Sequence, residues 1–327
     1  MQKVDQKIVI VTRPTRLAAL KKRFNTAQQA KFYIERAAEI DQVQRAPNVT
    51  LAKRSAKPQA FTDYQREDDT YNSATDHLRE DLSDLLPVQV LQRDHVPNYV
   101  FGPNDIVVTA GQDGLVANTA KYAVQLPIVA VNPDPQRFDG VLMPFQVSQA
   151  RSAIIRVLEG KAKIRKVTLG EVTLADGQRL LAFNDFFIGA QTHISARYTI
   201  EFARRSEPHS SSGVLVSTGA GSTGWLSSVF NMAMGLAGGN LSRPSLTWED
   251  PRLMFVVREP FVSKTSSAQI VSGMIEPKHE LILTSQMPAG GVIFSDGIEA
   301  DFLAFNSGAV ARIRAASQYA KLVMPSG

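Results

Sequence analysis

The sequence predicts an α/β domain with a doubly wound, mostly parallel sheet, followed by a β-rich, sandwich-like domain. Three observations carry this. Short β-branched runs alternate with helix-forming stretches up to about residue 146. Beyond Pro144 the alternation gives way to many short strand-like segments separated by turn signals. The chain has 327 residues and 44% hydrophobic content, enough for two cores, so the expected domains are 1–146 and 147–327, with the last strand free to return to the first sheet.

Each element has its own warrant. KIVIVT (7–12) is a β-branched run closed by Arg13 and Pro14, a buried strand. From Leu17 to about Gln44, Ala, Leu, Lys, Gln and Glu dominate, predicting one or two helices with Phe32, Ile34, Ala38 and Ile40 turned inward. Residues 46–63 carry two prolines and few large apolar groups and read as a loop, and a helix follows over 66–85. VQVL (88–91), DIVVTA (105–110) and PIVAVN (127–132) are further strands of a parallel sheet. A short helix is expected at 148–158. Then come KIRKVTLGEVTL with a hairpin turn at Asp176–Gly177, and YTIEF, GVLVS, LMFVVRE, AQIVSG, LILTSQ, GVIFSD and VARIRA, mainly antiparallel. Residues 222–236 interrupt this series with a helix.

Composition narrows the function. Thirty-six Lys and Arg against 31 Asp and Glu give a net charge of +5, suited to phosphate-bearing ligands, but no dense basic run points to nucleic acid. The absence of cysteine excludes disulfides, thiolate metal sites and a Cys nucleophile. No stretch approaches 18 consecutive apolar residues, so no membrane span is expected and the location read from the sequence is cytoplasmic. The histidines, at 77, 95, 193, 209 and 279, show no metal-ligand spacing, and no metal-ligating set is assigned. Ser210, Ser211 and Ser212 lack the G-x-S-x-G elbow of a hydrolase.

Four segments carry candidate chemistry. VLVSTGAGSTGW (214–225) contains a literal G-x-G-x-x-G at Gly219, Gly221 and Gly224, yet Glu259, the nearest suitably placed acid, lies 35 residues beyond Gly224, against about 20 in a dinucleotide fold. Two other readings stay open: a tight turn that needs glycine for packing or positive φ, and a loop whose amides and Ser222 and Thr223 hydroxyls approach a nucleotide. DIVVTAGQDGLVANTA (105–120) ends a strand in Gly111-Gln112-Asp113-Gly114 and starts a helix, placing Asp113 at the carboxyl edge of a parallel sheet, where ligands bind, or in a plain Asp-Gly turn. AFNDFFIGA (182–190) sets Asn184 and Asp185 in an apolar run, as a strand-end turn or as paired polar groups facing a ligand. FSDGIEADF (294–302) carries Asp296, Glu299 and Asp301, which a hairpin turn also explains.

Taken in order, these segments resemble the NAD kinases, and most closely the branch that includes the animal mitochondrial NAD kinase and plant NADH kinase. IVIVTRPTRLAALKKRF is similar to that branch's opening strand and Thr-Arg helix. GQDG sits where the family has Gly-Gly-Asp-Gly, and Asn132, Asp134, Pro135 and Arg137 match its Asn-x-Asp-Pro-x-Arg turn. FNDFFIGAQTHISARYTIEF resembles its Asn-Glu segment, SSSGVLVSTGAGSTGW its Ser-Ser-Gly strand and Thr-Gly-x-Gly-Ser loop, and RLMFVVREP a later strand.

The resemblance implies transfer of the terminal phosphoryl group of ATP, with Mg²⁺, to the 2′-hydroxyl on the adenosine ribose of NAD or NADH, by a homodimer. Asp113 would be the catalytic base, and Gly111, Gln112 and Gly114 would line the ATP phosphates. Asn184, Asp185, Ser212, Ser222, Thr223, Gly224, Trp225 and Asp296 would hold the acceptor. Two positions depart from the family: Gln112 replaces a glycine, adding a side chain where phosphate meets bare backbone, and Ser212 stands where most bacterial members have Asp. Two rivals follow, a kinase of the same superfamily acting on a lipid or sugar alcohol, and a non-catalytic NAD(P)-binding sensor.

Overall fold

The computed structural model describes residues 6–44, 61–239 and 241–326, with 37–44 as backbone only. The first half runs β1 (Ile8–Thr12), α1 (Arg16–Phe24), α2 (Ala27–Gln44), α3 (Phe61–Ser83), β2 (Val88–Gln92), β3 (Ile106–Ala110), α4 (Asp113–Ala120), β4 (Pro127–Asn132), β5 (Phe145–Gln146) and α5 (Ala150–Leu158). The second half continues with β6 (Lys163–Leu174), β7 (Arg179–Ala182), β8 (Asp185–Ala190), β9 (Ala196–Phe202), β10 (Arg205–Ser211), β11 (Val214–Ser217), α6 (Trp225–Ala237), β12 (Leu253–Val257), β13 (Ser272–Ile275), β14 (Leu281–Ser285), β15 (Gly291–Ser295), β16 (Phe302–Ala304) and β17 (Val310–Met324).

Strands β2, β1, β3 and β4 are parallel neighbours in that order. Every residue of β1 and β3 is buried, because both faces of this sheet are covered. The two-residue period decides which face: Val9, Val11, Val107, Ile128 and Ala130 pack with Leu115, Val116, Ala117 and Ala120 of α4. Ile8, Ile10, Ile106, Val108, Val129 and Val131 pack on the other side with Leu78 and Leu82 of α3 and Ala150, Ala153 and Ile154 of α5.

Strand β17 joins this sheet to the antiparallel strands. Its inner edge pairs with β14 near its start and, in parallel, with β4 near its end, while β6 runs along its other edge. Strands β13, β12, β11, β8, β15 and β16 form a second sheet. Its inward side chains, among them Phe186, Ile188, Val214, Val216, Phe255 and Ile293, meet Val172, Tyr198, Ile200, Leu283 and Ile313 of the first sheet in one core, a sandwich.

Several local expectations shift. Helix α3 begins at Phe61, which is buried, so 61–63 are helical, and 46–60 lie outside the described residues. Phe32 is 57% exposed, not inward. The packed face of α2 carries Ala30 and Ile34 against Leu17 and Phe61, and Phe32 sits two residues from Ala30, about 200° around the helix. The side chains of Ala38 and Ile40 lie outside the described residues. AQIVSG forms strand only from Ser272, and helix α6 starts at Trp225 after a 3₁₀ turn over Ala220–Thr223.

Candidate active site

The chain leaves β1 toward β2 on one side and reaches β3 on the other, so the carboxyl ends of β1 and β3 open the crevice at which α/β sheets bind ligands. Gly111–Gly114 occupy that crevice. Gln112 is the N-cap of α4, with extended backbone and no side-chain capping bond, and Asp113 is the first helical residue. Asp113 Oδ1 accepts from the Leu142 backbone N–H at 2.8 Å, and its other oxygen makes no hydrogen bond among the described residues. Gly111 is closed in, since a Cβ there would meet Leu115 Cδ2 at 2.7 Å, whereas Gly114 is exposed with nothing within 4 Å of such an atom.

Helix α3 holds the crevice turns together. Tyr71 accepts from Arg13 N at 2.8 Å and donates to Ala110 O at 2.7 Å, stitching the end of β1 to the end of β3. One turn earlier, the buried Glu67 carboxylate meets Arg13 at 3.3 Å, Arg16 at 2.5 Å and, from the turn after β4, Arg137 at 3.0 Å. Asn132 braces that last turn, donating to Phe138 O at 2.8 Å and accepting from Asp134 N at 3.1 Å.

A second group of candidate residues forms a buried polar knot. Asp296, at φ +53°, accepts from Phe183 N at 3.0 Å through Oδ2, and from Asn184 N at 2.6 Å and Asp185 N at 3.4 Å through Oδ1. Burial pushes the Asp296 carboxyl up, while the Lys121 ammonium and these backbone N–H groups pull it back. Asp185 has no such donors; burial, and then the charge of Asp296, push it up to about 7.

The glycine loop hangs from the same turn. Thr218 Oγ1 donates to Phe183 O at 2.6 Å and accepts from Gly221 N at 3.2 Å, and Thr218 N donates to Asn184 O at 2.9 Å. A Cβ on Gly221 would stand 2.1 Å from Asn184 O, and one on Gly219 would stand 1.7 Å from Thr247 O. Neither these two glycines nor Gly224 has positive φ. Two of the three glycines thus serve close packing, and β11 pairs antiparallel with β8 and β12, which rules out a Rossmann sheet. Ser222 is buried with Oγ turned back onto Gly219 O at 2.8 Å, whereas Thr223 and Gly224 are exposed.

Ser212 and Trp225 belong to a third place, a cavity of about 480 Å³ at the far end of β8. Trp225 stacks on Phe187 with ring centroids 5.9 Å apart, and the Arg258 guanidinium lies 5.1 Å from the Trp225 ring. Among the described residues no hydrogen bond or ion pair joins Asp113 to Asn184, Asp185 or Asp296. The sequence reading missed Thr218, Tyr71, Glu67 and Lys121. Lys121 is the C-cap of α4, and its Nζ reaches Ser295 Oγ at 2.8 Å. No local pattern flags them, because each acts on a partner distant in sequence.

A doubly wound crevice feeding an antiparallel sandwich through a shared strand defines the class: the NAD kinase fold. Among solved structures it is shared by yeast NADH kinase in complex with NADH, at 13% identity and a TM-score of 0.58 over 99% of this chain and 85% of that one. An NAD kinase from Archaeoglobus fulgidus in complex with ATP matches at 16% identity and a TM-score of 0.52, over 76% of this chain and 88% of that one. No protein-family model and no curated protein matches the sequence.

Proposed function

We propose that the protein is an NAD(H) kinase, transferring the terminal phosphoryl group of ATP to the 2′-hydroxyl on the adenosine ribose of NAD or NADH. The observation that carries this is Asp113: an acid with one free oxygen, at the first turn of a helix, beside an exposed glycine, in the crevice of the fold shared with those kinases. The Asp113 carboxylate takes the hydroxyl proton as that oxygen bonds to the γ-phosphorus. The bond from that phosphorus to the bridging oxygen breaks, and ADP leaves. Amides of the first turn of α4 suit the donor's charge.

The residues fit Mg²⁺ carried in on the donor. Asp113, with one carboxylate oxygen free of hydrogen bonds among the described residues, is the group beside which the cation would sit. When bound it would neutralise charge on the transferred phosphoryl group. On the acceptor side, Asn184 and Asp185 are read as holding the ribose and base, with Asp296 behind them bonded to their amides, Thr223 and Gly224 as exposed loop and Trp225 beneath a ring.

Pairing of two copies is supported by α6, which buries only Leu226 and leaves Met232 and Leu236 exposed, with Phe261 and Val262 also exposed. No helix among the described residues is long and apolar enough to cross a membrane.

One observation favours a second reading, a non-catalytic NAD(P) sensor: Gln112 brings a side chain, without a capping bond, into the donor turn. The test incubates the protein with ATP, Mg²⁺ and either NAD or NADH and measures NADP(H) with an NADP-specific dehydrogenase. Product from the wild type supports the kinase. NAD binding without product from either acceptor leaves the sensor.

A further inference from the structure

Lys121 closes α4, the helix that Asp113 opens, roughly 12 Å away along the axis. Its side chain is 1% exposed, a rare state for an ammonium group. The Nζ donates to Ser295 Oγ at 2.8 Å and lies 3.5 Å from Ser295 O and 3.8 Å from Asp301 Oδ2. Tyr122 donates to that same Asp301 oxygen. Burial lowers the Lys121 ammonium, and the charges of Asp296 and Asp301 oppose that.

A buried cation of this kind is kept only with a compensating anion. Asp301 pairs with it at 3.8 Å, and Asp296, which follows the bonded Ser295 in the chain, is the second anion acting on it. Both oxygens of Asp296 accept, from three successive backbone N–H groups, the pattern of an ionised carboxylate. The groups facing Asp296 are Lys121 from α4, Asp185 from β8 and, beyond Lys121, Asp301 with Tyr122. Burial disfavours its charge and Lys121 is the cation that favours it, while the charge of Asp296 in turn raises Asp185.

We propose that Lys121 is a positioning residue for the acceptor: it keeps Asp296 ionised, and through Asp296 it fixes the Phe183–Asp185 turn and the glycine loop hung from it. This rests on the NAD(H) kinase reading for the identity of the ligand. The relay runs from Lys121 to Ser295 and Asp296, the next residue in the chain, to the amides of Phe183 and Asn184, to Thr218 and so to Gly221. Without Lys121, burial drives Asp296 to take up a proton, and the turn loses its acceptor.

The sign follows. In Lys121→Met the carboxyl of Asp296 titrates at higher pH than in the wild type, so acceptor binding fails first on the acid side. Two measurements separate this from the reading it rests on. Amide hydrogen exchange on the ligand-free protein tests the relay: Lys121→Met and Lys121→Gln should speed exchange at Phe183–Asp185 and Gly221 by about tenfold or more at pH 6, relative to β3 amides in the same sample. Calorimetric titration with NAD tests the ligand: affinity should fall about tenfold at pH 6 and return to within about twofold of wild type at pH 8.5.

Exchange faster and NAD affinity lower by the same factor at every pH would overturn the ionisation role, as would unchanged exchange at these amides. Faster exchange at Phe183–Asp185 and Gly221 in the variants, together with a wild type that binds no NAD, would keep the relay and sink the kinase reading instead. Thermal unfolding of both variants identifies a global loss of fold, which would move β3 amides together with the turn and count against a local role.

Discussion

The crevice turn at Gly111–Gly114 and the knot at Asp185, Asp296 and Lys121 both carry carboxylates, and they treat them in opposite ways. Asp113 keeps one oxygen free, held by a single backbone bond beside an open glycine. Asp296 has both oxygens committed to backbone amides, and a buried ammonium group compensates its charge. On the kinase reading proposed above, the difference divides labour between the two places. A group that exchanges a proton has to be reachable and loosely bonded, and a group that sets geometry has to be saturated and buried.

The largest effect that tests the contrast is chemical. Asp113→Asn should lower kcat by about 10²–10⁴ while leaving NAD affinity and the denaturation midpoint unchanged, measured by single-turnover kinetics and urea unfolding. A loss of stability of more than about 1 kcal/mol would place Asp113 with the structural acids.

Next comes Gly221→Ala, which forces a Cβ toward Asn184 O. It should cost about 1–3 kcal/mol in urea unfolding and weaken NAD binding together, because loop and turn share their bonds. Neutral stability would mean that the loop moves independently of the knot.

A subtler pH effect belongs to Asp185. Its folded pKa is raised, so the native state holds the proton more tightly than the unfolded one, and stability falls as pH rises from the ordinary carboxylate range through about 7. Asp185→Asn should therefore gain about 1 kcal/mol or more at pH 8, shrinking toward zero near pH 4. A gain independent of pH would show that burial of charge is not its cause.

The smallest change is Gln112→Gly. It should strengthen ATP binding a few-fold and alter stability by less than about 0.5 kcal/mol. An unchanged ATP affinity would mean that the Gln112 side chain does not meet the donor.

Fold class was readable because β1, β3 and β4 are β-branched runs buried on both faces, and because the turn at Asp176–Gly177 has its own local chemistry. The crevice turn was readable for the same local reason: strand, glycines, acid and helix start are contiguous in sequence. The knot was not. Lys121 and Ser295 are 174 residues apart, and a lysine closing a helix reads as a solvated end. The glycine loop misleads in the same way. Gly219 and Gly221 suggest a ligand, but the atoms that demand them belong to Thr247 and Asn184, neighbours only after folding. Phe32 misled because helical periodicity gives several inward faces until a partner helix selects one.

Strand β17 lies between β4 and β14 on one side and β6 on the other, yet residues 310–324 are made after all of its partners. A nascent chain therefore exposes three apolar sheet edges until they arrive, so sheet closure waits until late in synthesis. Chains stopped before residue 310 should be chaperone clients and aggregate, while the parallel strands β1–β4 form the part able to collapse early.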